Sequence, residues 1–177
     1  AISSRDSANE ELAGVLKEQI HIKDKDQFGD FFNSMFTLYN HALKQWRKDL
    51  KEDPKYFLEK LWCNFQHNNE FNPPHSHGGA LSFVIYLKVP EELKKENEEY
   101  DGLSAGPGGI TFLYGQAEDY TIANHSFFPS EGDMYIFPAY LKHWVYPYKS
   151  DCVRVSISGN VIDGLKLNQM KKKNGQG

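Results

Sequence analysis

The chain has 177 residues, 40% of them hydrophobic and 25% charged, enough for one domain with a substantial core. A formal net charge of −4 argues against a broad electrostatic footprint for nucleic acid, and no apolar run approaches the length of a membrane span. The opening residues AISSRDSANE carry no signal-peptide core, and two cysteines, Cys63 and Cys152, do not make a disulfide framework; a reduced, cytoplasmic setting is expected.

In chain order, two helices are expected first. One spans about Ser7 to Ile20, polar with a thin apolar stripe of Leu12, Val15 and Leu16. The other runs from Gln27 to Leu50, where Phe28, Phe32, Met35, Tyr39, Ala42 and Trp46 recur at steps of four and three. That spacing defines one face of an amphipathic helix, with Asp26 as its cap and Asp53-Pro54 as its stop. Such a face buttresses a sheet, though it would serve a dimer as well. After Pro54 the period becomes strand-like, in runs Leu61–Gln66, Leu81–Val89, Ile110–Tyr114, Met134–Phe137, Trp144–Tyr148 and Val153–Ile162. Pro90–Gly109 is charged and then Gly-rich, suited to a solvated connection, a short helical excursion or a lid. Lys171-Lys172-Lys173 is a basic run in a solvated tail. Helices followed by many short strands predict a single α+β domain over 1–177, with a helical buttress over 1–53, a curled antiparallel sheet or barrel over 61–165 and a tail over 166–177.

Chemistry concentrates in histidines. In Asn72-Pro73-Pro74-His75-Ser76-His77-Gly78-Gly79, residues two apart in extended chain point the same way, so His75 and His77 can reach one ion. The prolines stiffen the approach. His143, between Gly132–Pro138 and the run His143–Pro147, is the candidate third ligand. Imidazoles suit zinc, iron, copper or nickel, and three protein ligands leave positions open as a catalytic site requires. The remaining histidines, His21, His41, His67 and His125, suit surface or packing roles, and Phe137, Trp144 and Tyr146 suit the core, with cavity walls as the alternative. In Val153–Val161 alternation is strict: Arg154, Ser156, Ser158 and Asn160 share a polar face. If that face lines a barrel interior, Arg154 needs an anion beside it and its own strand supplies none. Tyr86 is a candidate second donor.

The ordered segments NPPHSH, LSFVIYLKVP, GGITF, GDMYIFPAYLKHWVYPY and RVSISGNV, from about Trp62 to Asn160, resemble the Fe(II)- and 2-oxoglutarate-dependent oxygenases. The nearest branch is the prolyl-hydroxylase-like one, and within it small bacterial and phage members. The resemblance implies a double-stranded β-helix (jelly roll) with helices on its major sheet, Fe(II) held by His75 and His143, and 2-oxoglutarate and O2 as co-substrates. It implies that Arg154 pairs with the far carboxylate of 2-oxoglutarate, assisted by Ser156 and Tyr86, and that Gly108-Gly109 turns into a core strand. A C–H bond in a peptidyl or protein substrate would be hydroxylated. One position departs from the superfamily's usual His-x-Asp: His77 stands where the carboxylate is expected. Either a three-histidine site results or Glu70, Asp119 or Asp133 replaces the missing ligand. A second reading is a cupin-type three-histidine dioxygenase that uses no 2-oxoglutarate, although the cupin glutamate after HxH is absent from Gly78–Pro90. A third is a non-enzymatic binding module on a β-barrel.

Overall fold

The computed structural model describes residues 14–116, 118 and 120–164. Strand β1 (Glu18–His21) comes first, followed by a 3-10 turn over Lys25–Phe28 and helix α1 (Gly29–Trp46). Next come β2 (Tyr56–Gln66), β3 (Asn72–His75), β4 (Leu81–Lys88) and α2 (Glu91–Glu98). The chain then forms β5 (Ile110–Leu113), β6 (Asn124–Phe127), β7 (Met134–Pro138), β8 (Lys142–Val145) and β9 (Arg154–Asp163). The larger sheet has the order β1-β2-β9-β4-β7 and the smaller one β3-β8-β5-β6. Every pairing is antiparallel. Eight of these strands make the double-stranded β-helix, with β1 added along one edge of the major sheet.

Two apolar layers hold this arrangement together. On the outer face of the major sheet, Phe32 and Phe36 of α1 pack with Leu61, Leu81, Phe83 and Val161; the Phe32 and Phe83 rings are 4.9 Å apart. Between the sheets, Val84, Tyr86, Ile110, Phe112, Phe137 and Tyr148 form a second layer, joined by Leu93 of α2. Strand alternation divides β9 between the layers: Val161 faces the helix, while Arg154 and Ser156 turn into the barrel.

Several expectations need correction. The described part of the first predicted helix is extended: Glu18–His21 pairs with β2 through Glu18↔Phe65 to His21↔Trp62, and Val15 bridges Phe71. A short polar helix with a thin apolar stripe is marginal, and an open sheet edge satisfies the same backbone groups. Its residues before Gly14, and the tail from residue 165 with the lysine run, lie outside the described residues. The second helix is shorter than predicted, and its predicted stripe faces the sheet only in the middle, at Phe32, Met35 and Tyr39, with Phe36 added. Phe32 and Phe36 are its buried residues, whereas Ala42 is exposed and Trp46 is 87% exposed. Asp26 lies in the preceding 3-10 turn rather than at the helix cap, and the helix stops before Asp53-Pro54. The 90–109 segment contains α2. The Glu96 carboxylate accepts hydrogen bonds from the Lys149 and Ser150 N–H groups, at 2.8 and 2.7 Å, and from Ser150 Oγ at 2.5 Å. Asn97 Nδ2 donates to the carbonyls of Ala105 and Pro107, folding the Gly-rich stretch back onto the helix.

Phe32→Ala should lower the free energy of unfolding by about 3–5 kcal/mol, the cost of emptying a buried aromatic site, measured by urea denaturation. A change below about 1 kcal/mol, the range of surface substitutions, would show that α1 does not hold the sheet.

Candidate functional site

His75 and His143 face each other across the β3–β8 ladder. The prolines at 73 and 74 are tolerated because β3 is the edge of its sheet, where a missing donor costs nothing. His77 lies two residues beyond β3, fixed by its N–H donating to the Ala139 carbonyl at 2.8 Å. The three rings converge: one ligating atom of each lies within 4.8 Å of the others. Their centroids are 4.3 Å (His75–His143), 4.9 Å (His75–His77) and 5.2 Å (His77–His143) apart.

Two of the rings are braced in the same way. Nδ1 of His75 meets the Pro73 carbonyl at 2.7 Å, and Nδ1 of His143 meets the Leu141 carbonyl at 3.0 Å. A carbonyl can only accept, so Nδ1 carries the proton in both and Nε2 is left as the electron-pair donor. His77 has no such brace among the described residues; its ring leans on Trp62, with centroids 6.2 Å apart. Burial, then the neighbouring His75, brings His77 down to about 4. Burial brings His143 down to about 3 against the opposing effect of the Leu141 carbonyl. Both rings are neutral at pH 7, the form that binds a metal.

No carboxylate of the described residues joins the group. Glu70 is buried, but its two oxygens accept the N–H groups of Lys17 and His67 at 3.1 and 2.9 Å, stapling the loop after β2 to the N-terminal segment. Asp133 caps its own turn by accepting the Ser130 N–H at 2.8 Å. Asp119 lies outside the described residues.

Below the histidines is a cavity of about 630 Å³ including its open mouth, lined by polar residues of β2 and β9 and by apolar Val84, Ile110, Phe137 and Val145. Arg154 is 5% exposed and has no acidic partner among the described residues. Nη1 donates to the Gly108 carbonyl and Nη2 to Gln66 Oε1, while Nε has no hydrogen-bond partner among the described residues. Tyr86, at 1% exposure, places its ring 5.2 Å from the guanidinium carbon, and its buried hydroxyl is also unpartnered. Burial pulls the Arg154 pKa downward against the opposing effect of Tyr86 and raises that of Tyr86. Ser156 pairs with Tyr86 across the β4–β9 ladder and accepts a long hydrogen bond from Asn64 Nδ2 at 3.4 Å. Gly108 presents its carbonyl from a left-handed turn, φ +71°, where any side chain would also meet Leu93.

Of the three residues weighed as cavity wall or core, Phe137 lines the cavity, but Trp144 and Tyr146 are not among the lining residues. His143 and Val145 point inward, so strand alternation turns Trp144 and Tyr146 away. Trp62, Asn64 and Gln66 are lining residues that the sequence reading passed over. Their signal was available in β2, where they alternate with Leu61, Cys63 and Phe65 as Arg154, Ser156 and Ser158 do in β9.

The fold and these side chains define a double-stranded β-helix protein with a three-histidine group at the head of a cationic cavity. A family profile described as "Putative 2OG-Fe(II) oxygenase" matches residues 60–160, more than half of the chain, and the chain belongs to that family. The family uses Fe(II), 2-oxoglutarate and O2. A prolyl-4-hydroxylase from Pseudomonas putida aligns at 17% identity and a TM-score of 0.50, over 80% of this chain and 69% of that one. The viral collagen prolyl hydroxylase of Paramecium Bursaria Chlorella virus-1 aligns at 15% identity and 0.48, covering 81% and 77%. A 2OG-Fe(II) oxygenase family oxidoreductase from Burkholderia pseudomallei aligns at 16% and 0.43, over 61% of this chain and 44% of that one, so the chain spans less than half of that protein's length. A comparison with curated proteins returns no match. The cupin reading is not favoured. No helix among the described residues is long and apolar enough to cross a membrane.

The depressed histidines carry a pH signature in the metal-free protein. An unfolded histidine titrates near about 6.5, so below that pH the unfolded chain binds protons that folded His77 and His143 refuse. Stability is therefore lost progressively as the pH falls from about 6.5 through about 4 for His77 and about 3 for His143, and these two groups contribute no pH dependence above that window. Thermal midpoints of the chelator-treated protein should fall across it, and His143→Gln should flatten the fall. An unaltered slope in the variant would contradict the assignment.

Proposed function

We propose that the chain is a 2-oxoglutarate-dependent hydroxylase in which His75, His77 and His143 hold Fe(II), and Arg154, Tyr86 and Ser156 hold 2-oxoglutarate. The observation that carries this reading is the pairing of two orphaned buried groups, Arg154 Nε and Tyr86 Oη, in the cavity headed by the histidines. A buried cation without a carboxylate is costly unless an anion completes it, and a dicarboxylic oxoacid brings one. Three neutral imidazoles likewise suit a borderline divalent cation and add no negative charge, leaving the oxoacid dianion to balance it.

Bound Fe(II) and 2-oxoglutarate supply the activation of O2, with the oxoacid oxidised to succinate and CO2 as one oxygen atom enters a substrate C–H bond. The chain's own residues do the rest. The carbonyls of Pro73 and Leu141 hold His75 and His143 with Nε2 free. The guanidinium of Arg154 receives the far carboxylate, and the Tyr86 hydroxyl, kept neutral by burial, donates to it. Val84, Ile110, Phe137 and Val145 keep water from the reacting centre.

Anaerobic titration tests the reading. Fe(II) followed by 2-oxoglutarate should produce a visible metal-to-ligand charge-transfer band. Arg154→Ala should weaken the oxoacid by at least about tenfold, the value of a hydrogen bond between charged groups, with Fe(II) still bound. His143→Ala should lose the metal. Metal binding with no response to 2-oxoglutarate would favour the three-histidine dioxygenase that uses none.

A further inference from the structure

Arg154 opens β9, and its partner across the ladder is Gln66, the last residue of β2. Their side chains meet, Arg154 Nη2 donating to Gln66 Oε1. Gln66 is 3% exposed and is itself held on every side. Its Nε2 donates to the Glu70 carbonyl at 2.6 Å and to the Tyr146 carbonyl at 3.3 Å. Its own carbonyl accepts from Tyr148 Oη, and that hydroxyl in turn receives the Arg154 N–H at 3.3 Å. Because carbonyls only accept, the amide has one possible orientation, oxygen toward the guanidinium. Gly108 pins the other end of the fork.

Both fixed partners of the guanidinium are neutral. We propose that Gln66 is a positioning residue for a dicarboxylic 2-oxoacid: it orients Arg154 without neutralising it, so the charge is kept for the far carboxylate. The inference rests on the reading of Arg154 as the oxoacid anchor. The chemistry of the position admits few alternatives. A glutamate would pair with Arg154, repel the incoming carboxylate and turn its second oxygen against the carbonyls of Glu70 and Tyr146. An apolar side chain would leave Nη2 without an acceptor in a buried place. Only a neutral side chain with an acceptor at one tip and a donor at the other satisfies all three neighbours.

The consequence is selectivity rather than metal binding. A monocarboxylic oxoacid such as 2-oxobutyrate offers the same carboxylate and keto group but has no far carboxylate, so its affinity is blind to Gln66. The experiment measures anaerobic binding of 2-oxoglutarate and of 2-oxobutyrate to the Fe(II)-loaded full chain, for Gln66→Glu, Gln66→Met and Arg154→Ala. In both Gln66 variants the preference for 2-oxoglutarate should fall by about tenfold or more, the size expected when a hydrogen-bonded charge is lost or cancelled. Fe(II) and 2-oxobutyrate affinities should be unchanged, which also shows that the variants fold. Equal weakening of both oxoacids would mean a general structural role and overturn the proposal. Loss of selectivity in Arg154→Ala but not in the Gln66 variants would overturn it while sparing Arg154. Selectivity retained in Arg154→Ala would overturn the anchor itself.

Discussion

A guanidinium buried at the inner end of a barrel, with no acid among the described residues to pair with, is the constraint around which the rest of the fold is organised. Desolvating Arg154 is unfavourable, and the chain offsets it with two neutral acceptors and an aromatic face rather than with a counter-ion. Each element of that cradle has a structural origin. Gln66 arrives by ladder register, Tyr86 by the adjoining strand, and the Gly108 carbonyl by a left-handed turn braced under α2. The sheets, the helix that buttresses them and the folded-back Gly-rich connection all converge on one charge.

The histidine group at the other end of the cavity follows a complementary logic. The two braced rings come from facing strands, and each is oriented by a carbonyl two residues earlier in the chain, so the orientation is local and cheap. His77 depends instead on the backbone of the segment between β7 and β8 and on the flank of Trp62. With a neutral ring where the superfamily more often has a carboxylate, the site brings no negative charge of its own. On the proposed reading, the anionic oxoacid and the cationic cradle then matter more to the electrostatic balance than they would beside an aspartate.

Much of this was legible in the sequence because strand alternation is local. The polar face of β9 pointed to Arg154 and Ser156, and the proline-stiffened HxH pointed to a ligand pair. The same alternation in β2, which carries Trp62, Asn64 and Gln66 inward, was equally present, but an amide opposite an arginine means nothing until the register is known. Trp144 and Tyr146 stay out of the cavity because the inward direction of His143 turns its strand neighbours away. The β1 segment was not legible: its extended form depends on a partner strand some forty residues away, which outweighs its weak helical stripe. The stripe of α1 was legible in its middle, where Phe32 and Tyr39 pack on the sheet, but Phe28 falls in the 3-10 turn and Trp46 ends the helix in solvent.

The central claim is that the uncompensated Arg154 charge is the anchor of a dicarboxylic oxoacid. A crystal structure of the chain grown anaerobically with Mn(II) and 2-oxoglutarate tests it most directly. The account predicts the far carboxylate within hydrogen-bonding range of Arg154 Nε and Tyr86 Oη, at about 2.7–3.2 Å, with the metal on His75, His77 and His143. An oxoacid bound elsewhere, or an Arg154 that remains bound only to Gln66 and Gly108 with the ligand present, would contradict it.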